Sequence, residues 1–246
     1  MEFQAYVLHV KTGYEDREKS IIEQFSKLNL PFDWILDYDK DDITQEILDE
    51  FGYKGDMNIE AVSCALKHIC AWKQLAESNH TGAFFFEDDV IVDVKNFKHF
   101  FSKAFVEYKE KWPACSYISL GSGCALYVPW TKKRKNTYLY PAQYARAADS
   151  YWMSRKTARK MIHWINVNGF TLPADHLIDH ICKELDIPIL WLEPTVADQG
   201  SHTGLFPSSI QDLERGKLLD RLEWKVKIFR RKYLYPLMGR DLTRNK

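Results

Sequence analysis

Residues 83 to 92 read Ala83-Phe84-Phe85-Phe86-Glu87-Asp88-Asp89-Val90-Ile91-Val92, three consecutive carboxylates inside an apolar run. An apolar run of this length bounded by turn residues predicts a buried strand. Carboxylates in such a strand are costly unless a cation, a proton or strong hydrogen bonds offset their desolvation. Alternation along a strand sends Glu87 and Asp89 to one side and Asp88 to the other. Glu87 and Asp89 then face a hard divalent cation of the kind that takes oxygen ligands, Mg²⁺ or Mn²⁺. The alternative is a strand that ends at Phe86 and gives way to a solvated acidic turn.

Outward from this run, strand-like and helix-like segments alternate. Residues 3–10, 32–36, 116–120, 147–153 and 187–192 suit strands. Residues 16–28, 59–77, 97–111, 155–166 and 175–185 carry helical spacing, and a short helix is expected around 43–51. Asn29 and Pro31, Pro113 and Gly169 supply the stops. Residues 129–143 and 198–212 read as loops. This order predicts an α/β fold with a Rossmann-like, mostly parallel sheet flanked by helices. An acid cluster at the C-terminal end of a strand in such a sheet lies where ligands bind. A metal held there would neutralise a diphosphate leaving group.

Composition is that of a globular protein: 46% hydrophobic and 28% charged residues in a chain of 246. The five cysteines are an odd number, form no CxxC pair and suit no zinc site, which favours a reduced compartment. The opening residues show no signal-peptide pattern, and no apolar run of about 18 residues spans a membrane. A cytoplasmic location is therefore expected. Charge is unevenly spread. Residues 215–246 carry eleven Lys or Arg against three acids, a net +8, and residues 1–214 balance it at −8. The expected organisation is a body over 1–214 and a basic, aromatic, amphipathic helical tail over 215–246. Apolar residues interleaved with this charge suit docking on the anionic cytoplasmic face of a membrane. A helix packed on the body with a solvated basic face is the other reading. No nucleic-acid recognition motif is present.

Five elements in order give the chain a family resemblance. They are Ser63-Cys64-Ala65-Leu66-Lys67-His68 with Trp72; Phe86-Glu87-Asp88-Asp89-Val90; Tyr151-Trp152-Met153-Ser154-Arg155 with Ala158; Pro173-Ala174-Asp175; and Gln199 with Ser209-Ile210. Together they resemble the family 25 glycosyltransferases, which include lipooligosaccharide galactosyltransferases and collagen galactosyltransferase domains. The resemblance spans roughly residues 5–210. It implies a GT-A-type fold, a UDP-linked sugar donor, a divalent metal and inversion at the anomeric carbon. It departs at Leu8-His9-Val10, Ser63, Lys67 and Ala147-Ala148.

The resemblance implies residue roles. Asp89 and Glu87 are expected to hold the metal, Mn²⁺ or Mg²⁺, with His202 as a further ligand unless it is a plain surface histidine. Asp175 is the expected base for the acceptor hydroxyl, with Asp149 its competitor, although Asp175 also suits a helix N-cap. Arg17, Lys67, His68, Glu87 and Asp88 are expected on the donor side, Tyr151 and Gln199 on the acceptor side. The alternative readings are a solvated helix residue for Arg17 and a half-buried structural one for His68. Asp88 is expected to bond the neighbouring helix. The function implied is transfer of a hexose, galactose from UDP-galactose, to a lipooligosaccharide, lipopolysaccharide or capsule glycan acceptor. A catalytically silent glycan- or nucleotide-sugar-binding module and a retaining transferase are the alternatives.

Overall fold

The structure is a computed structural model that describes residues 4–123, 125–203, 206 and 217–244, with the main chain alone for 202, 203 and 217–222. In chain order the elements begin with β1 (Gln4–Leu8), α1 (Glu15–Leu28), β2 (Phe32–Ile35), α2 (Gln45–Glu50), α3 (Ile59–Glu77) and β3 (Gly82–Glu87). There follow β4 (Val90–Val92), α4 (Phe97–Lys111), β5 (Tyr117–Ser119), β6 (Leu139–Ala142), β7 (Ser150–Ser154), α5 (Arg155–Asn168) and α6 (Ala174–Glu184). The chain closes with β8 (Ile189–Leu192), β9 (Ala197–Gln199), α7 (Gly200–Thr203), α8 (Lys217–Phe229), a π-turn over Arg230–Leu234 and α9 (Tyr235–Leu237).

Local chemistry sets the helix ends. The Asn58 side chain accepts from Ala61 N at the start of α3, and Ser154 accepts from Thr157 N at the start of α5. Each such cap is worth about 1 kcal/mol. Asn29, left-handed at φ 44°, closes α1 by donating to the Phe25 and Ser26 carbonyls. Gly169, at φ 71°, closes α5.

Seven strands form one sheet in the order β2-β1-β3-β7-β5-β8-β6. The α/β expectation holds, but the sheet is mixed rather than mostly parallel. The β1–β2, β1–β3 and β5–β8 pairs are parallel; β3–β7, β5–β7 and β6–β8 are antiparallel. The difference arises because β7 follows a long irregular connection rather than a crossover helix, and inserts between β3 and β5 running the other way.

Period-two alternation fills both faces of the sheet. Phe85 faces a core shared with α3, α5 and α6, whereas Phe84 and Phe86 face a second core shared with α1 and α4. All three rings are fully buried, each worth roughly 1.5–3 kcal/mol. Phe85 stacks on Tyr151 at 4.8 Å, and Tyr151 on Tyr117 at 4.7 Å.

The acidic run is not one strand. β3 ends at Glu87, Asp88 and Asp89 turn, and Val90–Val92 leaves the large sheet to pair antiparallel with β9. β6 and β9 both arise from stretches expected to be loops. The end of the tail rests on the body. Gln143 N donates to the Thr243 carbonyl at 2.9 Å, the Tyr144 hydroxyl donates to the Leu242 carbonyl, and Lys132 pairs with Asp241. No helix among the described residues is long and apolar enough to cross a membrane.

Candidate active site

β1, β3 and β9 end at one cleft of about 290 Å³, whose floor includes Glu87, Asp88 and Asp89. His9, Arg17, Ser63, Cys64, Lys67 and Gln199 are among its other walls. The three carboxylates have different surroundings because the strand ends between them.

Glu87 is half-buried. Its Oε1 lies 3.6 Å from His68 Nε2 and 3.9 Å from Cys64 Sγ, and its Oε2 accepts from Gln199 Nε2 at 3.5 Å. Burial, then Asp89, Asp88 and Asp175, push its pKa up to about 8, against the opposing pull of Arg17.

Asp88, in the turn after β3, meets two buried donors. Arg17 Nη1 reaches its Oδ1 and His9 Nδ1 its Oδ2, both at 2.7 Å. Arg17 is thus buried in an ion pair, not a solvated helix residue.

Asp89 is buried, and its Oδ2 accepts from Ser201 N at 3.2 Å. Its main-chain carbonyl accepts from Gly200 N at 2.7 Å. This approach requires glycine: a Cβ at residue 200 would stand 2.6 Å from the Asp89 carbonyl oxygen and from the Phe206 ring. Asp89 Oδ1 is buried and has no hydrogen-bond partner among the described residues.

Lys67 reaches down from α3 into the cleft wall, where its Nζ pairs with Asp39 Oδ1 at 2.7 Å and donates to the Asp37 carbonyl at 2.8 Å. His68, one residue on, points the other way and is fully buried. Burial pushes its pKa down to about 3, so the ring is neutral.

Besides His68, three expected site residues whose side chains are described, Tyr151, Asp149 and Asp175, lie off the cleft walls. Tyr151 is fully buried and bonds Trp72 and His68, so its ring offers no surface to an acceptor. Asp149 is buried behind Glu87, accepts from Ser150 Oγ at 2.8 Å, and has its pKa pushed well up, first by burial and then by Glu87. Asp175 is half-exposed in the first turn of α6, close enough to Glu87 and Cys64 to raise both. It does not cap that helix; its Oδ1 accepts from His176 N. His202 lies on α7 just after Ser201, but its side chain is outside the described residues, as are Ser209 and Ile210.

Sequence reasoning missed His9, Asp39 and Ser201. Only His9 carried a signal, as a polar residue at the end of the apolar first strand. Asp39 and Ser201 act through long-range geometry that no local pattern encodes.

An acidic, lysine-flanked cleft at the strand ends of an α/β sheet lies where such folds bind ligands. A family model described as glycosyltransferase family 25 (LPS biosynthesis protein) matches residues 3–178, and the chain belongs to that family. A Haemophilus influenzae protein named "Putative glycosyltransferase" is 32% identical over 95 residues; the match spans 35% of this chain and about a third, 32%, of that protein. Among solved structures, a mutant Drosophila β1,4-galactosyltransferase 7 with manganese, UDP-Gal and xylobiose aligns over 89% of this chain and 79% of its own, at 8% identity and TM-score 0.44. A glycosyltransferase involved in glycosylation of the major capsid of PBCV-1 aligns over 91% of this chain and 98% of its own, at 10% identity and TM-score 0.44.

Proposed function

We propose that the chain is a metal-dependent inverting glycosyltransferase that moves a hexose from a UDP-linked donor to a glycan or glycolipid acceptor. One observation carries the metal: among the described residues the buried Asp89 Oδ1 has no hydrogen-bond partner, beside a Glu87 that burial, and then Asp89 and Asp88, push upward. Both conditions suit a divalent cation with oxygen ligands. Glu87 and Asp89 would hold it, with His202 as the further ligand that the family resemblance implies. When bound, it supplies positive charge to the diphosphate leaving group.

The chain's own residues carry the rest. Lys67 places a cation on the cleft wall, suited to a phosphate oxygen. Arg17 and His9 hold Asp88, which fixes the turn carrying Glu87 and Asp89. Gln199 and the Ser201 N–H brace the two ligand carboxylates from β9 and α7. Asp175, half-exposed near Glu87, takes the proton of the acceptor hydroxyl. That oxygen bonds to the anomeric carbon as the bond from this carbon to the diphosphate oxygen breaks. Attack opposite the leaving group inverts the configuration. Asp149, buried and pushed toward its protonated form, is the weaker base candidate.

Galactose is the sugar we propose, with a lipooligosaccharide, lipopolysaccharide or capsule glycan as acceptor. The family description, an LPS biosynthesis protein, supports an acceptor of this class. The tail, residues 215–246, fits docking at an anionic membrane surface. Val226, Phe229, Tyr233 and Leu237 are exposed at helical spacing, with Lys225, Arg230 and Arg240 exposed beside them. The deciding experiment incubates the protein with Mn²⁺ and a panel of UDP-sugars, then determines the anomeric configuration of any product. Failure to bind or hydrolyse any UDP-sugar, together with an inert Asp89→Ala change, rejects the reading.

A further inference from the structure

Behind Glu87 the core holds a chain of polar atoms with few ways to arrange its protons. Trp72 Nε1 lies 2.7 Å from the Tyr151 hydroxyl oxygen, and His68 Nδ1 lies 2.9 Å from the same oxygen. His68 Nε2 lies 3.6 Å from Glu87 Oε1, beyond hydrogen-bond distance, and has no hydrogen-bond partner among the described residues. Trp72, Tyr151 and His68 are all fully buried. The Tyr151 ring is clamped between Phe85 and Tyr117, so the hydroxyl cannot swing elsewhere.

An indole N–H only donates, so the Tyr151 oxygen accepts from Trp72. The Tyr151 proton then needs an acceptor, and His68 Nδ1 is the one within reach. If Nδ1 carried a proton instead, the Tyr151 hydroxyl hydrogen would be buried with nothing to receive it, an arrangement folded proteins avoid. With Nδ1 accepting, the neutral ring carries its proton on Nε2, aimed at Glu87. We infer that Trp72, Tyr151 and His68 form a directional hydrogen-bond relay that locks His68 in its Nε2–H tautomer and so presents an N–H that positions Glu87 Oε1 electrostatically for the donor site. His68 and Tyr151 are positioning residues and touch neither donor nor acceptor.

The same atoms admit a rival arrangement. Cys64, His68 and Glu87 present ligand atoms within 4.8 Å of one another, a grouping that a thiol-accepting metal would use. That grouping requires a lone pair on Nε2 and therefore the opposite tautomer. The tautomer of His68 separates the two arrangements.

The role given to Glu87 rests on the proposed function; the tautomer does not. The test labels the full-length protein with ¹⁵N-histidine and records long-range ¹H–¹⁵N correlations, assigning His68 by its loss in His68→Gln. The wild type is expected to show Nε2–H. A wild-type Nδ1–H form overturns the relay whatever Tyr151 variants do. Tyr151→Phe keeps the stacked ring and removes the proton given to Nδ1. It is expected to disturb the His68 tautomer and to weaken Mn²⁺-dependent UDP binding, read by titration calorimetry, by about tenfold, the lower end for groups that orient a metal ligand. An altered tautomer with unchanged UDP affinity overturns the positioning role. If wild-type protein binds no UDP with Mn²⁺, the donor-site reading falls, and the tautomer still decides the relay.

Discussion

Arg17 Nη1 donates to Asp88 Oδ1 at 2.7 Å, and both groups are buried. A cation one helix away thereby fixes the turn on which the two outward carboxylates stand. Removing it leaves Asp88 buried with His9 alone. Arg17→Ala is expected to lower stability by about 3–5 kcal/mol, the usual cost of breaking a buried pair. Urea unfolding measures it; a loss under 1 kcal/mol would show that the pair is dispensable.

Asp89 supplies the unmet oxygen. Asp89→Asn keeps the shape and removes the charge. The variant should fold, lose the Mn²⁺-induced rise in melting temperature that ligand binding produces, and transfer at least about a hundredfold more slowly. A thermal-shift series with and without Mn²⁺ reads the first; an unchanged metal shift would remove Asp89 from the ligand set.

Asp175 divides binding from chemistry. Asp175→Asn is expected to leave UDP affinity within about twofold and to lower kcat by roughly 10²–10⁴. If Asp149→Asn alone reproduces that loss and Asp175→Asn does not, the base is Asp149.

Glu193 governs acid stability. Burial pushes it up, but the Arg146 guanidinium and the Lys133 ammonium, the latter at 2.5 Å, outweigh burial and hold it below its ordinary 4.5. A carboxylate depressed in the folded state contributes stability above its unfolded pKa and loses it as pH falls through the folded value. Stability should therefore decline below about pH 4.5. Glu193→Gln should be less stable near neutrality and show a flatter acid limb. Parallel acid limbs in the two proteins would count against the assignment.

The tail makes a separable claim. Phe229 and Leu237 are 54% and 69% exposed. The protein should co-sediment with vesicles containing anionic lipid, less so at high salt, and Phe229→Ser with Leu237→Ser should weaken this severalfold. Equal binding to neutral vesicles, or none to anionic ones, would discard membrane docking.

Helices and central strands were legible because their periodicity reports directly on burial. The span 59–77 is the same in sequence and structure, since α3 carries its own cap and apolar face. β6 was not legible because an edge strand rich in Tyr and Pro is held by its partner β8 rather than by its own pattern. The acidic run misled at one point: alternation was read through Asp88 and Asp89, but the strand ends at Glu87 and Asp88 meets His9 and Arg17, groups distant in sequence. Arg17, Lys67, Glu87, Asp88, Asp89 and Gln199 do converge on one cleft. Tyr151 and His68 belong to its scaffold, because a motif marks a position without saying which way its side chain points.

The bond from Gly200 N to the Asp89 carbonyl has a consequence for the order in which the molecule is made. β1, α1, β2 and β3 form a contiguous parallel unit within the first 87 residues, able to assemble early as the chain leaves the ribosome. The carboxylates stand at its edge from that moment. Their braces, Gln199, Gly200 and Ser201, emerge more than a hundred residues later. The acidic turn is the earlier-made half of a clasp whose other half is made later, so a nascent chain truncated before residue 199 can hold the turn through Arg17 and His9 but lacks the braces on Glu87 and Asp89.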